Sequence, residues 1–521
     1  MTTIGHKRSK QLKFWKNARL AGGIFIVLLF LGKKRLPMQT LVKTDASNHA
    51  TAGDMREGAD HDAAEKMLAD EGVADVGRSD KTVTLVPLEQ QEARRLAVRN
   101  AMKFAWGNYE EHAFGADEIG PKDGQNFSNV WGNIACSMVD SIDTLWIMDM
   151  KDEFQRARDY VANKLEFSHL GRDGTRISIF ETIIREVGGL LSAFDLSGDA
   201  IFKQKAKELM DLLTPAYDEN EGVFYSQFNP YTKKKAFAAW TGYLALIAEL
   251  GTLQLETRYL SNITGDPKYA EMGDAFYKIV QRKGSYKKTG LFPVHFDAAH
   301  GKFDTKSNLI KLGADGDSFY EYLLKVYIYS GKRQEDKYLR ELYDDAVRGM
   351  EEYLLYFSIP DDLYFLADSA VALACSRHGS SACFIPGMLT LGTLSETQDH
   401  AKNAKHLELA EKLMETCYQF YHRQVTGLSS DCVGFPTMHA IRSIYILRPE
   451  TVESLFYLYR VTKNPKYREY GWKIFEALET HAKTKHGYAV VVDVTELPAQ
   501  TENKMESFFL AETLKYHYLK N

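Results

Sequence analysis

Ile446-Leu-Arg-Pro-Glu-Thr-Val-Glu-Ser454, followed by Leu-Phe-Tyr-Leu-Tyr, is a loop that turns into a helix at Pro449. Proline has no amide hydrogen to leave unpaired, and its fixed φ suits a first helical turn. Glu450 and Glu453 are three residues apart, so they share a face in that turn, where free backbone amides favour negative charge. The residues beyond them are apolar enough to be buried. Two carboxylates are thereby aimed into the protein rather than into water.

The same construction recurs along the chain. Ser197-Gly-Asp, Thr264-Gly-Asp-Pro-Lys-Tyr, Ser330-Gly-Lys and Thr462-Lys-Asn-Pro-Lys-Tyr each end an apolar helix and open a more amphipathic one, at spacings of 67, 66 and 132 residues. The last spacing is twice 66, which places a further turn near Leu394-Ser-Glu-Thr-Gln-Asp; Met150-Lys-Asp-Glu is a shorter-spaced example. A fixed period of this kind signals a solenoid or a closed ring. Helices that are apolar on all sides are buried, so the helix before each turn belongs to an inner layer and its partner to an outer one. The fold expected is an all-α toroid of helix hairpins. The next turn would fall near residue 528, past Asn521, so the repeat predicts a ring incomplete at its C-terminal end.

Counting back from the turns locates the acids. Glu181 lies 16 residues before its turn, Glu256 lies 8 before, Asp317 and Glu321 lie 13 and 9 before, and Glu450 and Glu453 lie 12 and 9 before. Asp140 and Asp143 stand at the equivalent place before the first turn, and Glu506 and Glu512 are assigned to the last inner helix. Each has an ordinary explanation taken alone: Glu181 and Arg185 form an i,i+4 pair, Asp317 caps a helix, and Arg448 neutralises Glu450. Independent caps and surface pairs would not all choose one rim. Such a cup suits a hard cation with oxygen ligands, an acid and a base flanking a glycosidic bond, or recognition of sugar hydroxyls.

The 521 residues, 45% hydrophobic and 12% aromatic, supply a large core, and a net charge of -5 gives no reason to expect nucleic-acid binding. Five cysteines are too few for a disulfide scaffold, leave at least one unpaired, and include no Cys-x-x-Cys pair for zinc. Residues 1–19 are basic without an acid, 20–32 are uniformly apolar or glycine, and Lys33, Lys34 and Arg35 close the run. We read these as a cytoplasmic tail and an uncleaved signal anchor, shorter than the roughly 20 residues of an ordinary span. Residues 33–86 read as a flexible luminal stem and 87–521 as the helical domain. Asn126-Phe-Ser and Asn262-Ile-Thr match the glycosylation acceptor pattern.

Val139-Asp-Ser-Ile-Asp-Thr-Leu-Trp, Phe180-Glu-Thr-Ile-Ile-Arg, Gly316-Asp-Ser-Phe-Tyr-Glu-Tyr-Leu-Leu-Lys, Leu447-Arg-Pro-Glu-Thr-Val-Glu-Ser and Ser507-Phe-Phe-Leu-Ala-Glu-Thr-Leu-Lys-Tyr resemble, in order, the class I α-1,2-mannosidases of glycoside hydrolase family 47. The resemblance implies an (α/α)7 barrel, a type II anchor in the Golgi or endoplasmic reticulum membrane, a bound Ca2+ ion, and inverting hydrolysis of α-1,2-linked mannose from oligomannose N-glycans. It makes Glu181 the general acid and Asp317 and Glu450 the candidates for the base. It puts Asp140, Arg185, Glu256, Glu321, Arg448, Glu453, Phe508 and Glu512 around the sugar, and pairs Cys383 with Cys417. The family's calcium-binding threonine lies in an Asn-Thr-Glu segment past the position of Asn521, so the resemblance assigns no metal ligand here. The competing reading is a weakly or non-catalytic mannose-binding protein of glycoprotein quality control.

Overall fold

The computed structural model describes residues 87–304, 309–368, 377–395 and 399–521; the expected tail, anchor and stem, residues 1–86, lie outside the described residues. Among the described residues, fourteen α-helices alternate between two layers, besides the short helices Ile179–Thr182 and Ile247–Gly251. The odd-numbered ones are α1 (Leu88–His112), α3 (Lys151–Asn163), α5 (Ala200–Leu213), α7 (Lys268–Lys283), α9 (Lys337–Gly349), α11 (His400–His422) and α13 (Lys466–Ala477). The even-numbered ones are α2 (Cys136–Ile147), α4 (Gly188–Ser197), α6 (Gln254–Thr264), α8 (Asp317–Tyr329), α10 (Ile385–Ser395), α12 (Glu450–Thr462) and α14 (Leu514–Lys520).

Burial separates the layers as the sequence pattern requires. In α12 every residue from Thr451 to Leu458 is buried, whereas α9 buries Leu339, Arg340, Tyr343, Ala346 and Val347 on one stripe. Each even-numbered helix packs on the next, and the π turn Phe509–Thr513 that leads into α14 packs back on α2. Helix α14 also lies against α1, so the circle of seven inner and seven outer helices closes within the described residues. This corrects the expectation of an open C-terminal end. The 66-residue count looked for an outer helix after α14, but α1 already occupies that place. Glu506 is a second correction: it precedes the last inner helix and pairs with Lys504 at 2.9 Å.

The turns fall where the repeat puts them. Gly198 and Gly265 take left-handed φ values of 74° and 76° just past α4 and α6, the usual C-terminal stop. After α12 the same role falls to Lys463, at φ 57°. Inner helices approach closely where glycine allows it: a Cβ on Gly189 of α4 would stand 2.3 Å from the carbonyl oxygen of Val139 in α2. Short antiparallel ladders of two to four residues decorate the connecting loops, among them Glu118–Ile119 with Asn126–Phe127. Cys383 and Cys417 are joined as a disulfide, while Cys136 is free and buried. Asn126 is exposed on its ladder; Asn262 is exposed in the last turn of α6, with its amide donating to the Tyr329 hydroxyl. Among the described residues no helix is long and apolar enough to cross a membrane.

Candidate active site

The N-terminal ends of the inner helices open into one cup of about 470 Å³. All eleven residues expected there line it: Asp140, Glu181, Arg185, Glu256, Asp317, Glu321, Arg448, Glu450, Glu453, Phe508 and Glu512.

One wall is built on α2 and the entry to α4. Ser178 caps the short helix Ile179–Thr182 by accepting the Glu181 backbone N–H at 3.2 Å. The chain then widens into a π turn, Ile183–Val187, before α4 begins. Such turns are uncommon and recur at functional sites. Within it, Arg185 holds Glu181 with Nε at 2.9 Å and a terminal nitrogen at 2.7 Å, and reaches Asp140 at 3.7 Å. Ser507 donates to Asp140 at 2.6 Å. The guanidinium carbon of Arg185 sits between two rings, 5.5 Å from Trp131 and 5.6 Å from Phe508. The i,i+4 ion pair is therefore real, and it is part of the cup.

A second group is built on Arg448, whose Nε donates to Asp431 at 2.8 Å and whose Nη1 reaches Glu450 at 3.4 Å. Burial raises the Glu450 pKa to about 7, against the lowering pull of Arg448 and with a further push from Asp317. Asp317 is likewise raised to about 7 by burial, although the Ser318 amide and Arg448 oppose the shift. Both carboxyls thus titrate in the neutral range, where a group that takes and returns a proton is most effective.

The floor is a set of carboxylates braced by two ammonium groups. Lys325 bridges Glu321 and, at 3.5 Å, Glu453, whose Oε1 also accepts the Tyr516 hydroxyl at 3.2 Å. Lys515 donates to Asp143 at 2.8 Å, and Ser192 donates to the same oxygen. Tyr322 donates to Glu256 at 2.9 Å. Burial raises Glu256 and Glu512 to about 7 and Glu453 further still. Oε2 of Glu256 and Oε2 of Glu450 are buried with no protein partner.

The oxygen-only donors and the two orphaned carboxylate atoms fit a hard cation. Among the described residues, however, no three of these acids bring oxygens within 4.8 Å of one another; the one cluster that meets that spacing is His378 with the disulfide pair.

Sequence reasoning missed several members. Glu249 lines the cup and is raised to about 7 by burial and by Glu181. It is the single charge in Leu244-Ala-Leu-Ile-Ala-Glu-Leu-Gly, a signal that was present and unused. Lys325 and Lys515 sit inside apolar helices for the same reason as the acids they serve. Asp431, the partner of Arg448, lies on an irregular segment and had no periodic signal.

Comparison with known proteins agrees with this geometry. The pattern of glycosyl hydrolase family 47 matches residues 101–520. A mannosyl-oligosaccharide 1,2-α-mannosidase of Arabidopsis thaliana is 40% identical over 441 residues, covering 83% of this chain and 75% of the relative. The human endoplasmic reticulum mannosyl-oligosaccharide 1,2-α-mannosidase is 38% identical over 440 residues, covering 82% of this chain and 60% of its own length. Among solved structures, an α-1,2-mannosidase from Trichoderma reesei superposes with a TM-score of 0.74 at 26% identity, covering 82% of this chain and 93% of that one. A cup of paired acids in a ring of helix hairpins, matched along almost the whole described length, leaves one assignment: the chain belongs to glycosyl hydrolase family 47.

Proposed function

We propose that this chain is an inverting α-1,2-mannosidase that removes terminal mannose from oligomannose N-glycans. The observation that carries the reading is that one cup holds two carboxylate and arginine groups, Glu181 with Arg185 and Glu450 with Arg448. Glu181, oriented by Arg185, is the general acid that delivers a proton to the departing glycosidic oxygen, through a water in the manner the family resemblance implies. Asp317 or Glu450, beside Arg448, takes the proton of the attacking water. Carboxylates on opposite sides of the bond, with room for that water, give inversion. Phe508 offers its ring face to the sugar, and Asp140, Glu256, Glu321, Glu453 and Glu512 accept hydrogen bonds from its hydroxyls.

The cup has eleven acids in its lining against Arg185, Lys325, Arg448 and Lys515. A divalent cation such as Ca2+ would offset that excess, with Glu256, Glu321, Glu453 and Glu512 holding its water shell. When bound, it supplies a fixed positive charge that orients sugar hydroxyls and attacking water. The test is direct. The purified chain should release mannose from an α-1,2-linked oligomannose, and EDTA should abolish the release. No release, or release indifferent to EDTA after exhaustive dialysis, would remove the mannosidase or the metal from the account respectively.

We also propose the secretory pathway as its place of work, with 20–32 as a type II anchor, 33–86 as stem and 87–521 as the luminal barrel. The Cys383–Cys417 disulfide suits an oxidising compartment, and the human relative carries the endoplasmic reticulum in its name. Alkaline extraction of membranes should leave the full chain in the pellet; its release into the supernatant would rule out the anchor.

A further inference from the structure

Away from the catalytic cup, the described residues hold one group of side chains close enough to share a metal ion. A ring nitrogen of His378 and the sulfurs of Cys383 and Cys417 all lie within 4.8 Å of one another, and none of the three residues lines the cup. They come from three elements: the strand Arg377–Gly379, the turn Ser380–Phe384 that leads into α10, and α11. His378 is 2% exposed, Cys383 0% and Cys417 1%, so the group sits wholly in the interior.

His378 is held as a ligand would be. Its Nδ1 faces Leu366, 2.8 Å from the carbonyl oxygen and 3.1 Å from the amide nitrogen, and the shorter contact is a bond that Nδ1–H donates. Nε2 then keeps its lone pair, and it is buried with no hydrogen-bond partner among the described residues. Burial lowers the pKa of the ring to about 4, against the pull of the Leu366 bond, so the imidazole is neutral. The Phe420 ring meets it edge-on at 5.3 Å and fixes its plane. A backbone carbonyl on the far nitrogen is the usual device that orients a metal-binding histidine.

Reduction of the Cys383–Cys417 disulfide would complete the donor set. Two thiolates and a neutral imidazole carry two negative charges, so a divalent ion among them gives a site of zero net charge, the state an interior tolerates best. Sulfur ligands exclude a hard ion such as Ca2+ and select a thiophilic one. With Zn–S at about 2.3 Å and Zn–N at about 2.0 Å, ligand atoms around Zn2+ stand roughly 3.5–4 Å apart. The spacing of the three residues is already close to that, and the fourth tetrahedral position is left to a water.

We propose that the reduced chain binds Zn2+ through His378, Cys383 and Cys417, so that the turn before α10 is clamped to α11 by a metal instead of by a disulfide. The exchange needs a thiol reductant. Two thiol groups break the S–S bond and leave as their own disulfide, each cysteine gains one proton, and Zn2+ displaces both protons as it binds.

The experiment reduces the full chain with dithiothreitol, removes the reductant under argon, and titrates with Co2+ as the spectroscopic stand-in for Zn2+. One equivalent should bind with a thiolate-to-cobalt charge-transfer band, and Zn2+ should displace it. Oxygen ligands such as those of the cup give no such band. The oxidised chain should show none, and neither should the reduced chain carrying both Cys383→Ser and Cys417→Ser. His378→Ala should weaken binding by at least about tenfold, no less than the loss of an outer partner costs a metal site. A reduced chain without the sulfur band, a band that persists in the double variant, or unchanged affinity in His378→Ala would each overturn the site. Should reduction unfold the chain, one equivalent of Zn2+ should restore its helical circular dichroism; no recovery would overturn the proposal equally.

Discussion

Glu181→Gln should lower kcat/KM for α-1,2-linked mannose by on the order of 10³, inside the 10²–10⁴ that a positioned general acid contributes. The substitution keeps the shape of the side chain and the Arg185 Nε contact at 2.9 Å, since the amide oxygen still accepts. It removes the proton that the departing oxygen needs. Binding should change little, because the sugar is held by the floor acids and Phe508. Single-turnover kinetics separates the two: a slow chemical step with near-normal affinity supports the acid, whereas a loss confined to affinity would make Glu181 a ligand of the sugar and nothing more.

Removal of the base should cost a comparable factor, and pH identifies which residue it is. Asp317 and Glu450 both titrate near 7, so kcat/KM of the unaltered chain should fall as the pH drops below about 7, where the base becomes protonated. Asp317 is one of the charges that push Glu450 upward. Should Glu450 be the base, Glu450→Gln abolishes the reaction, while Asp317→Asn leaves a reduced rate whose acid limb moves to lower pH. Should Asp317 be the base, Asp317→Asn abolishes it instead, and the limb survives in Glu450→Gln. A profile that keeps its acid limb unmoved in both variants would assign the titration to another group.

The two layers and the rim of acids could be read before any coordinates because they rest on periodicity. An inner helix must be apolar all round, its turn needs a left-handed residue, and a charge inside such a helix stands out; Glu450 and Glu453 are conspicuous for that reason. The closure of the ring could not be read, since it depends on α14 meeting α1, and no local pattern records a partner nearly the whole domain away. Glu506 was misplaced because a helix boundary before Phe508 has no proline or cap to mark it. Asp431, Asp117 and Asn229 were invisible for another reason. Asp117 and Asn229 each organise a loop by accepting or donating backbone hydrogen bonds, Asp431 holds the side chains of Arg442 and Arg448, and loops carry no repeat from which such roles could be inferred.

The seam between α14 and α1 also bears on how the domain is made. Arg94 in α1 holds Glu469 in α13 through two hydrogen bonds, at 2.6 and 2.9 Å, across 375 residues of chain. A chain emerging from the ribosome N-terminus first must carry α1, with its buried Val98, Met102, Ala105 and Trp106, until α13 and α14 have been made. Contacts this distant in sequence form late and slowly, and apolar surface exposed in the meantime invites aggregation. The circle that shapes the cup is thus completed only once α14 has been made, and until then the first helix depends on whatever shields it.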